Sequence, residues 1–176
     1  MESFVYLGKY LRNYLPIAMP ENIINALGGL AIGARMRRLG DDLARNVERI
    51  YKEHDLDFET RHFILFYLVS RRNGIGIMEI AEELSFSHPA VIHMAKELEK
   101  KGYIESVKSP DDSRKRLLRL SKKGQKSLPA FEKVWKKIEK LNNQLFALQQ
   151  NNLLAALGEM EALLDEQNYY KRFQEI

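Results

Sequence analysis

The chain has 176 residues, is 45% hydrophobic and 30% charged, and carries a formal net charge of +4. This composition excludes a globally disordered protein and fits one domain, or one compact fold with a dimerising extension. The sequence contains no cysteine, which excludes a disulfide scaffold, a thiolate metal site and a thiol redox switch, and which suits a reducing cytoplasm.

The beginning of the sequence has the pattern of neither a leader nor a membrane span. Lys9 and Arg12 interrupt the first twenty residues, where a signal peptide needs an unbroken apolar core. The longest apolar run, residues 23–34, contains Asn25 and three glycines and is too short to cross a bilayer. We therefore expect a cytoplasmic protein with no membrane partner, in which residues 1–20 form an N-terminal extension.

The first half of the chain is predicted to be helical. Apolar residues at steps of three and four predict a long amphipathic helix from Ile23 to about Tyr51. "DLDF" ends it, and Asp55 or Asp57 is available to cap the next helix, 59–71, which is apolar nearly all round and should be buried. "RNGIG" indicates a turn, and a short helix follows over 77–84.

A further helix is predicted after the tight turn "SFS". Ser87 stands at its N-cap position, Pro89 lies in its first turn, where a missing amide hydrogen costs nothing, and it runs to about Lys101 and stops at Gly102. "YIESVK" and "KRLLRL" are β-prone and are separated by six residues that include proline and aspartate, so they predict a hairpin. Ser121 then caps a new helix.

The last third of the chain predicts helices with one apolar stripe each. In the first of them the apolar residues are Phe131, Trp135, Ile138, Leu141, Leu145 and Leu148. "QQNN" separates that helix from the last one. Because such helices are not stable alone, we expect a second copy of the chain to cover these stripes and that of the first helix, giving a homodimer.

The order of the elements defines the predicted fold. A short helix, a three-residue turn and a second helix make a helix-turn-helix, and a hairpin directly after it makes the motif winged. We predict a mainly α protein with a small β-hairpin wing. The winged helix-turn-helix domain spans residues 56–123, and a helical dimerisation region combines residues 21–55 with residues 124–176.

Positive charge is concentrated around the predicted wing. Between Lys100 and Lys126 there are ten Lys or Arg and three acids, so this segment carries +7 and the remainder of the chain −3. A basic segment on a mildly acidic body is typical of a protein that binds a polyanion. The alternative is a solvated charged face.

The helix Ser87–Lys101 is the predicted DNA reader. Val91, Met94, Ala95 and Leu98 indicate its core-facing side. The opposite side would lie in the major groove, with its N-terminal residues at base edges and its lysines at phosphates. The predicted contacts are Ser87, His88, Pro89, Ile92, His93 and Lys96.

The wing, Lys108–Arg116, is predicted to reach the minor groove. Asp112 lies two residues before Arg114, close enough to orient its guanidinium group. An arginine on a projecting loop suits a narrow, electronegative groove. The predicted contacts are Lys108, Asp112, Arg114, Lys115 and Arg116, and DNA phosphates would relieve the mutual repulsion of the last three.

Residues 77–124 resemble the winged-helix core of the MarR family of bacterial transcription regulators. The family's wing signature is D-x-R, then alternating apolar residues, then L-[ST]-x-x-G. It is matched by Asp112, Arg114, Leu118, Leu120, Ser121 and Gly124. Residues 27–71 further resemble the MarR-like half of proteins fused to an acetyltransferase, and we expect no acetyltransferase in this chain.

The resemblance implies an obligate dimer held by its first and last helices, with recognition helices and wings on a palindromic operator. The implied function is sequence-specific transcription regulation, most simply repression, with a cleft for a small effector between the dimer helices and the reading domain. The chain departs from the family pattern at Ser85, where the helix-turn-helix turn usually has glycine. It also departs at Pro89, Ile92 and His93, so the family's base preference does not transfer.

Arg61, His62 and Tyr67 lie near where the family's effector cleft would be, although His62 could instead be a hydrogen-bonded structural histidine. No two of the four histidines have the i, i+4 spacing of a helical metal site, so we expect no metal and no other cofactor. The sequence shows no nucleophile–base pair, so we do not expect an enzyme. Two other functions stay open, a non-specific architectural DNA-binding protein and a protein-docking winged helix, and the basic wing argues against the second.

Overall fold

A computed structural model describes residues 22–72, 74–110 and 115–176. Its described residues form eight α-helices, two 3-10 turns at Gly28–Ala31 and Thr60–His62, and three strands. The helices are α1 (Ile23–Ala26), α2 (Ile32–Glu53), α3 (Phe63–Arg71), α4 (Ile77–Glu83), α5 (His88–Lys100), α6 (Lys122–Ala147), α7 (Leu153–Glu166) and α8 (Tyr169–Gln174). The strands are β1 (Ile75–Gly76), β2 (Ile104–Lys108) and β3 (Arg116–Leu120). The chain divides into two compact units between Asn46 and Val47.

The first unit corrects the prediction of one long helix from Ile23. Helix α1 ends at Ala26, and α2 begins only at Ile32. Gly28 between them has a φ of +55°, a left-handed conformation that interrupts the helix and that a residue with a side chain rarely adopts. Of the predicted apolar stripe in this unit, Leu27, Leu30, Leu39 and Leu43 are exposed.

The sheet of the second unit has three strands in the order β1-β3-β2, all antiparallel. Strands β2 and β3 are the predicted hairpin, and Lys108 pairs with Arg116 at its outer end. The two-residue strand β1, where Ile75 pairs with Leu118, lies in a segment predicted to be only a turn. The small β-hairpin wing on a mainly α fold is confirmed.

The core of the second unit contains a cluster of aromatic rings. Phe58, Phe66 and Phe131 contact one another with ring centroids 4.8–5.4 Å apart. Tyr51 packs edge-on to Phe131, and its hydroxyl oxygen accepts a hydrogen bond of 3.0 Å from the Trp135 indole nitrogen. This core ties the end of α2 to α3 and α6.

The aromatic core corrects the predicted dimer stripe on α6. Phe131 is fully buried within this protomer, and Trp135 and Ile138 are half-buried against the same core. Only the later members of the stripe, Leu141, Leu145 and Leu148, are exposed. The predicted winged helix-turn-helix domain ends at residue 123, but three residues beyond it, Gly124, Phe131 and Val134 on α6, are also buried.

Two caps form where the sequence predicts them. The Ser87 hydroxyl accepts from the Ala90 amide at 3.4 Å, and the Ser121 hydroxyl accepts from the Gly124 amide at 3.0 Å. Neither Asp55 nor Asp57 caps the turn before α3, because Asp55 has a φ of 57° and Asp57 accepts a hydrogen bond of 2.9 Å from Lys101.

Candidate nucleic-acid interface

Helix α5 has one buried face and one exposed face. Val91, Ala95 and Leu98 are buried in the core of the second unit. On the other side His88, Pro89, His93 and Lys96 are exposed and Ile92 is half-buried. This is the division that was predicted for a helix that reads DNA, and it leaves the N-terminal turn of α5 open on its outer side.

The turn before α5 adopts a conformation that is unusual for its sequence. Ser85 has a φ of 52°, in the left-handed region. Its amide and that of Phe86 donate to the carbonyl oxygens of Glu82 and Ala81, so the turn closes α4 tightly. Ser85 thus takes the left-handed conformation that glycine would adopt without strain.

Glu97 joins α5 to the turn before α3. Its Oε1 accepts a hydrogen bond of 2.9 Å from Arg61, and its Oε2 accepts one of 2.9 Å from Nε2 of the buried His62. The same Oε2 lies 3.3 Å from Nδ1 of the exposed His93. The hydrogen bond from His62 and the charge of Arg61 lower the pKa of Glu97. The sequence-based prediction missed Glu97, although its i, i+4 spacing from His93 could have indicated it.

The base of the wing is described on both strands. The Ser109 amide donates to the Lys115 carbonyl oxygen at 2.9 Å, next to the Lys108–Arg116 pair. Lys108, Lys115 and Arg116 are exposed. Asp112 and Arg114 lie outside the described residues, so their contact stays a prediction.

Several cations of the basic segment have partners within the protomer. Lys101 lies 2.9 Å from Asp57 and 3.6 Å from Glu59, and Arg119 lies 2.8 Å from Glu105 on the neighbouring strand. The Lys123 ammonium donates to the Lys101 carbonyl oxygen and stands 4.5 Å above the Tyr103 ring. Part of the positive charge counted from the sequence therefore stabilises the fold.

The three predicted effector residues do not share one environment. Arg61 and His62 are bound to Glu97. Tyr67 instead packs edge-on to Trp135, with the Arg71 guanidinium 4.8 Å from its ring centroid. His62 is thus a hydrogen-bonded, buried histidine, the alternative to an effector contact.

Among the residues that the structure describes, no group of three or more His, Asp or Glu side chains could hold a metal ion. No helix in the described ranges is long and apolar enough to cross a membrane.

The model of the MarR family matches residues 59–115, which contain α3, the helix-turn-helix and β2. These residues of the chain match the MarR family. A curated relative, "HTH-type transcriptional regulator Hpr" from Bacillus licheniformis, is 28% identical over 100 residues, which are 54% of this chain and 48% of the relative. The chain thus matches about half the length of that relative.

Solved structures show the fold that goes with the family. The repressor CouR bound to a 23-mer DNA duplex superposes with a TM-score of 0.60 at 23% identity, over 79% of this chain and 96% of that one. A mutant MarR from E. coli complexed with operator DNA gives 0.61 at 19% identity, over 81% and 99%. The Streptomyces coelicolor regulator PcaV in complex with its natural ligand gives 0.59 at 16% identity, over 80% and 95%.

Proposed function

We propose that this chain is a dimeric, sequence-specific DNA-binding transcriptional regulator that acts as a repressor on a palindromic operator. Helix α5 lies in the major groove and the wing, residues 108–116, in the minor groove. The observation that carries the proposal is the exposed outer face of α5, whose N-terminal residues take no part in the core. The CouR and MarR structures, both complexes with DNA, support it at the level of the fold.

The proposed homodimer rests on exposed apolar residues in both units. In the first unit they include Leu30, which is 86% exposed, and Leu39. In the second unit they continue from Leu145 on α6 to Met160 on α7 and Phe173 on α8. Apolar surface on this scale indicates an interface. We assign dimerisation to residues 21–55 and 124–176, and DNA binding to residues 56–123.

We also propose that a small ligand relieves repression, as the family fold with a bound natural ligand in PcaV suggests. Tyr67 is half-exposed and lies beside Trp135, the only tryptophan in the chain. A ligand that reaches Tyr67 should therefore change the tryptophan fluorescence. Arg61 and His62 are weaker candidates, since their polar atoms are held by Glu97.

The test is selection of bound duplexes from a random pool, followed by titration of the selected duplex and of random DNA at several salt concentrations. A regulator should select inverted half-sites and keep a preference for them as salt rises, since its base contacts are less salt-sensitive than phosphate contacts. Equal affinity for selected and random duplexes would contradict sequence-specific regulation and favour a non-specific architectural protein. No DNA binding at low salt would contradict both DNA-binding functions and favour a protein-docking module.

Two kinds of α5 variant separate base contacts from phosphate contacts. His88→Ala should relax the preference at one base position in each half-site, at a cost of roughly 1–3 kcal/mol for the preferred base. Lys96→Ala should weaken binding about equally for all sequences. Identical profiles for the two variants across an operator library would contradict the assigned roles.

The wing is tested by a change whose sign distinguishes two mechanisms. If Asp112 orients Arg114, Asp112→Ala weakens operator binding although it removes a negative charge. Simple Coulomb attraction predicts tighter binding instead, most visibly at low salt. Arg114→Ala should weaken binding at least as much as the matched control Lys115→Ala. Tighter binding by a folded Asp112→Ala dimer would decide for diffuse charge attraction.

A further inference from the structure

The contacts of Glu97 carry an inference about how one base is read, and it rests on the proposed function. Glu97 belongs to the recognition helix, but groups outside that helix hold both of its carboxylate oxygens. Arg61 donates to Oε1 and His62 to Oε2, each at 2.9 Å. Arg61 is itself held by Glu59 at 2.7 Å. The Glu97 side chain is accordingly only 28% exposed, and its carboxylate is a fixed point on the surface of α5.

His93 stands one turn before this fixed carboxylate. Its Nδ1 lies 3.3 Å from Glu97 Oε2, whereas its side chain as a whole is 71% exposed. An ionised carboxylate has only acceptor sites, so the ring nitrogen that faces it is favoured in its N–H form. In the neutral ring the other nitrogen, Nε2, is then an acceptor.

His62 takes the opposite tautomer at the same carboxylate. Its Nε2 donates to Glu97 Oε2, which leaves Nδ1 as a bare lone pair. That Nδ1 is buried and has no hydrogen-bond partner among the described residues. His62 is completely buried, so it cannot reach DNA, and its role is to hold Glu97 in place.

We propose that Glu97 is a positioning residue for base recognition, which fixes the Nδ1–H tautomer of His93 so that His93 presents Nε2 as an acceptor to an amino group in the major groove. The major-groove amino groups are N6 of adenine and N4 of cytosine. The O6 and N7 atoms of guanine and the O4 atom of thymine are acceptors and are rejected by this nitrogen.

The first test reads the tautomer in the free wild-type protein, without DNA. The ¹⁵N chemical shifts of the His93 ring, measured at alkaline pH, about 8.5, distinguish the two neutral forms. We expect Nδ1–H for His93 and Nε2–H for His62. In Glu97→Gln, which keeps the shape of the side chain but removes its charge, His93 should shift towards Nε2–H. Nε2–H for His93 in the wild-type protein would overturn the inference and leave the proposed function untouched.

The second test uses the selected duplex and the base position that His93→Ala relaxes. Replacing the adenine or cytosine there with an analogue that lacks the amino group should weaken wild-type binding about threefold or more, as expected for one lost hydrogen bond. The same replacement should leave the affinity of His93→Ala unchanged. Glu97→Gln should relax this position in the wild-type background and have no effect on it in the His93→Ala background.

A purely structural role of Glu97 gives a different pattern. It would spread the effect of Glu97→Gln over all base positions and would persist in the His93→Ala background, and either result overturns the inference. His88→Ala is the matched control, because Glu97 does not contact His88 and the two effects should add. If the wild-type protein prefers no sequence at all, the proposed function fails and the reading role of His93 fails with it.

Discussion

Gly124→Ala on α6 should lower the free energy of unfolding, whereas Gly158→Ala on α7 should not. Gly124 is buried in the first turn of α6, directly under the carbonyl group of Tyr103. A Cβ at this position would overlap the Tyr103 carbonyl oxygen and stand 3.0 Å from its carbon. The obstacle is backbone and not the end of a flexible side chain, so it cannot rotate away.

The cost follows from what must move. The Tyr103 carbonyl oxygen accepts a hydrogen bond of 3.1 Å from the Ser121 amide, so a displacement that makes room for Cβ also weakens this bond. Overpacking of a well-packed site costs about 1–3 kcal/mol, and a lost hydrogen bond costs about 0.5–1.5 kcal/mol. The better helix propensity of alanine returns about 1 kcal/mol. A net loss of about 0.5–3.5 kcal/mol remains, which corresponds to a fall in Tm of about 1–14 °C for a chain of this size.

The assay is urea and thermal unfolding at one fixed protein concentration, because the proposed dimerisation would make stability concentration-dependent. Trp135 fluorescence and far-UV circular dichroism report on the core and the helices respectively. Gly158→Ala on α7 is the matched control, since a Cβ there meets nothing within 4 Å. The control should gain about 0.5–1 kcal/mol. Equal stability of the two variants would show that α6 can move away from Tyr103 freely, and the packing argument would be wrong.

Four further variants test other parts of the fold. Ser85→Gly should stabilise by about 0.5–1 kcal/mol in urea unfolding, because relief of a left-handed φ of 52° outweighs the added chain entropy. Phe131→Ala should lower the free energy of unfolding by about 3–5 kcal/mol. Leu145→Ala, at an exposed position, should chiefly weaken the proposed dimer in sedimentation. The hydrogen bond from Lys101 lowers the pKa of Asp57 below its ordinary 3.8. Asp57→Asn should therefore lower the melting temperature at neutral pH. This loss of stability should disappear as the pH falls through the lowered pKa of Asp57.

Features set by neighbouring residues were predictable from the sequence. Ser87 and Ser121 cap their helices because the capping hydroxyl and the free amide are three residues apart. The hairpin follows from two β-prone segments around a turn. The exposed face of α5 follows from helical periodicity, which separates Val91 and Leu98 from Lys96.

Features set by distant residues were not predictable in this way. Strand β1 is only two residues long and exists through its pairing with β3, more than forty positions along the chain. The stripe on α6 has one period throughout, but the aromatic rings contributed by α2 and α3 decide that Phe131 is core and that Leu145 is not. His62 and Glu97 are 35 residues apart, so no local pattern relates them.

The distribution of positive charge shows why a charge count overstates a nucleic-acid footprint. Lys101 and Arg119 have carboxylate partners in the protomer, and Lys123 lies on the Tyr103 ring. Neutralising these groups should change stability more than the salt dependence of DNA binding, because the cations are already engaged with groups of the same protomer. Lys96 and Lys115 are exposed. Replacing either by alanine should reduce the salt slope, the change of log affinity with log salt concentration, by about one. If Lys101→Ala reduced the salt slope as much as Lys96→Ala does, the C-terminal end of α5, next to Lys101, would contact phosphate. The orientation proposed for this helix in the groove would then have to be reversed.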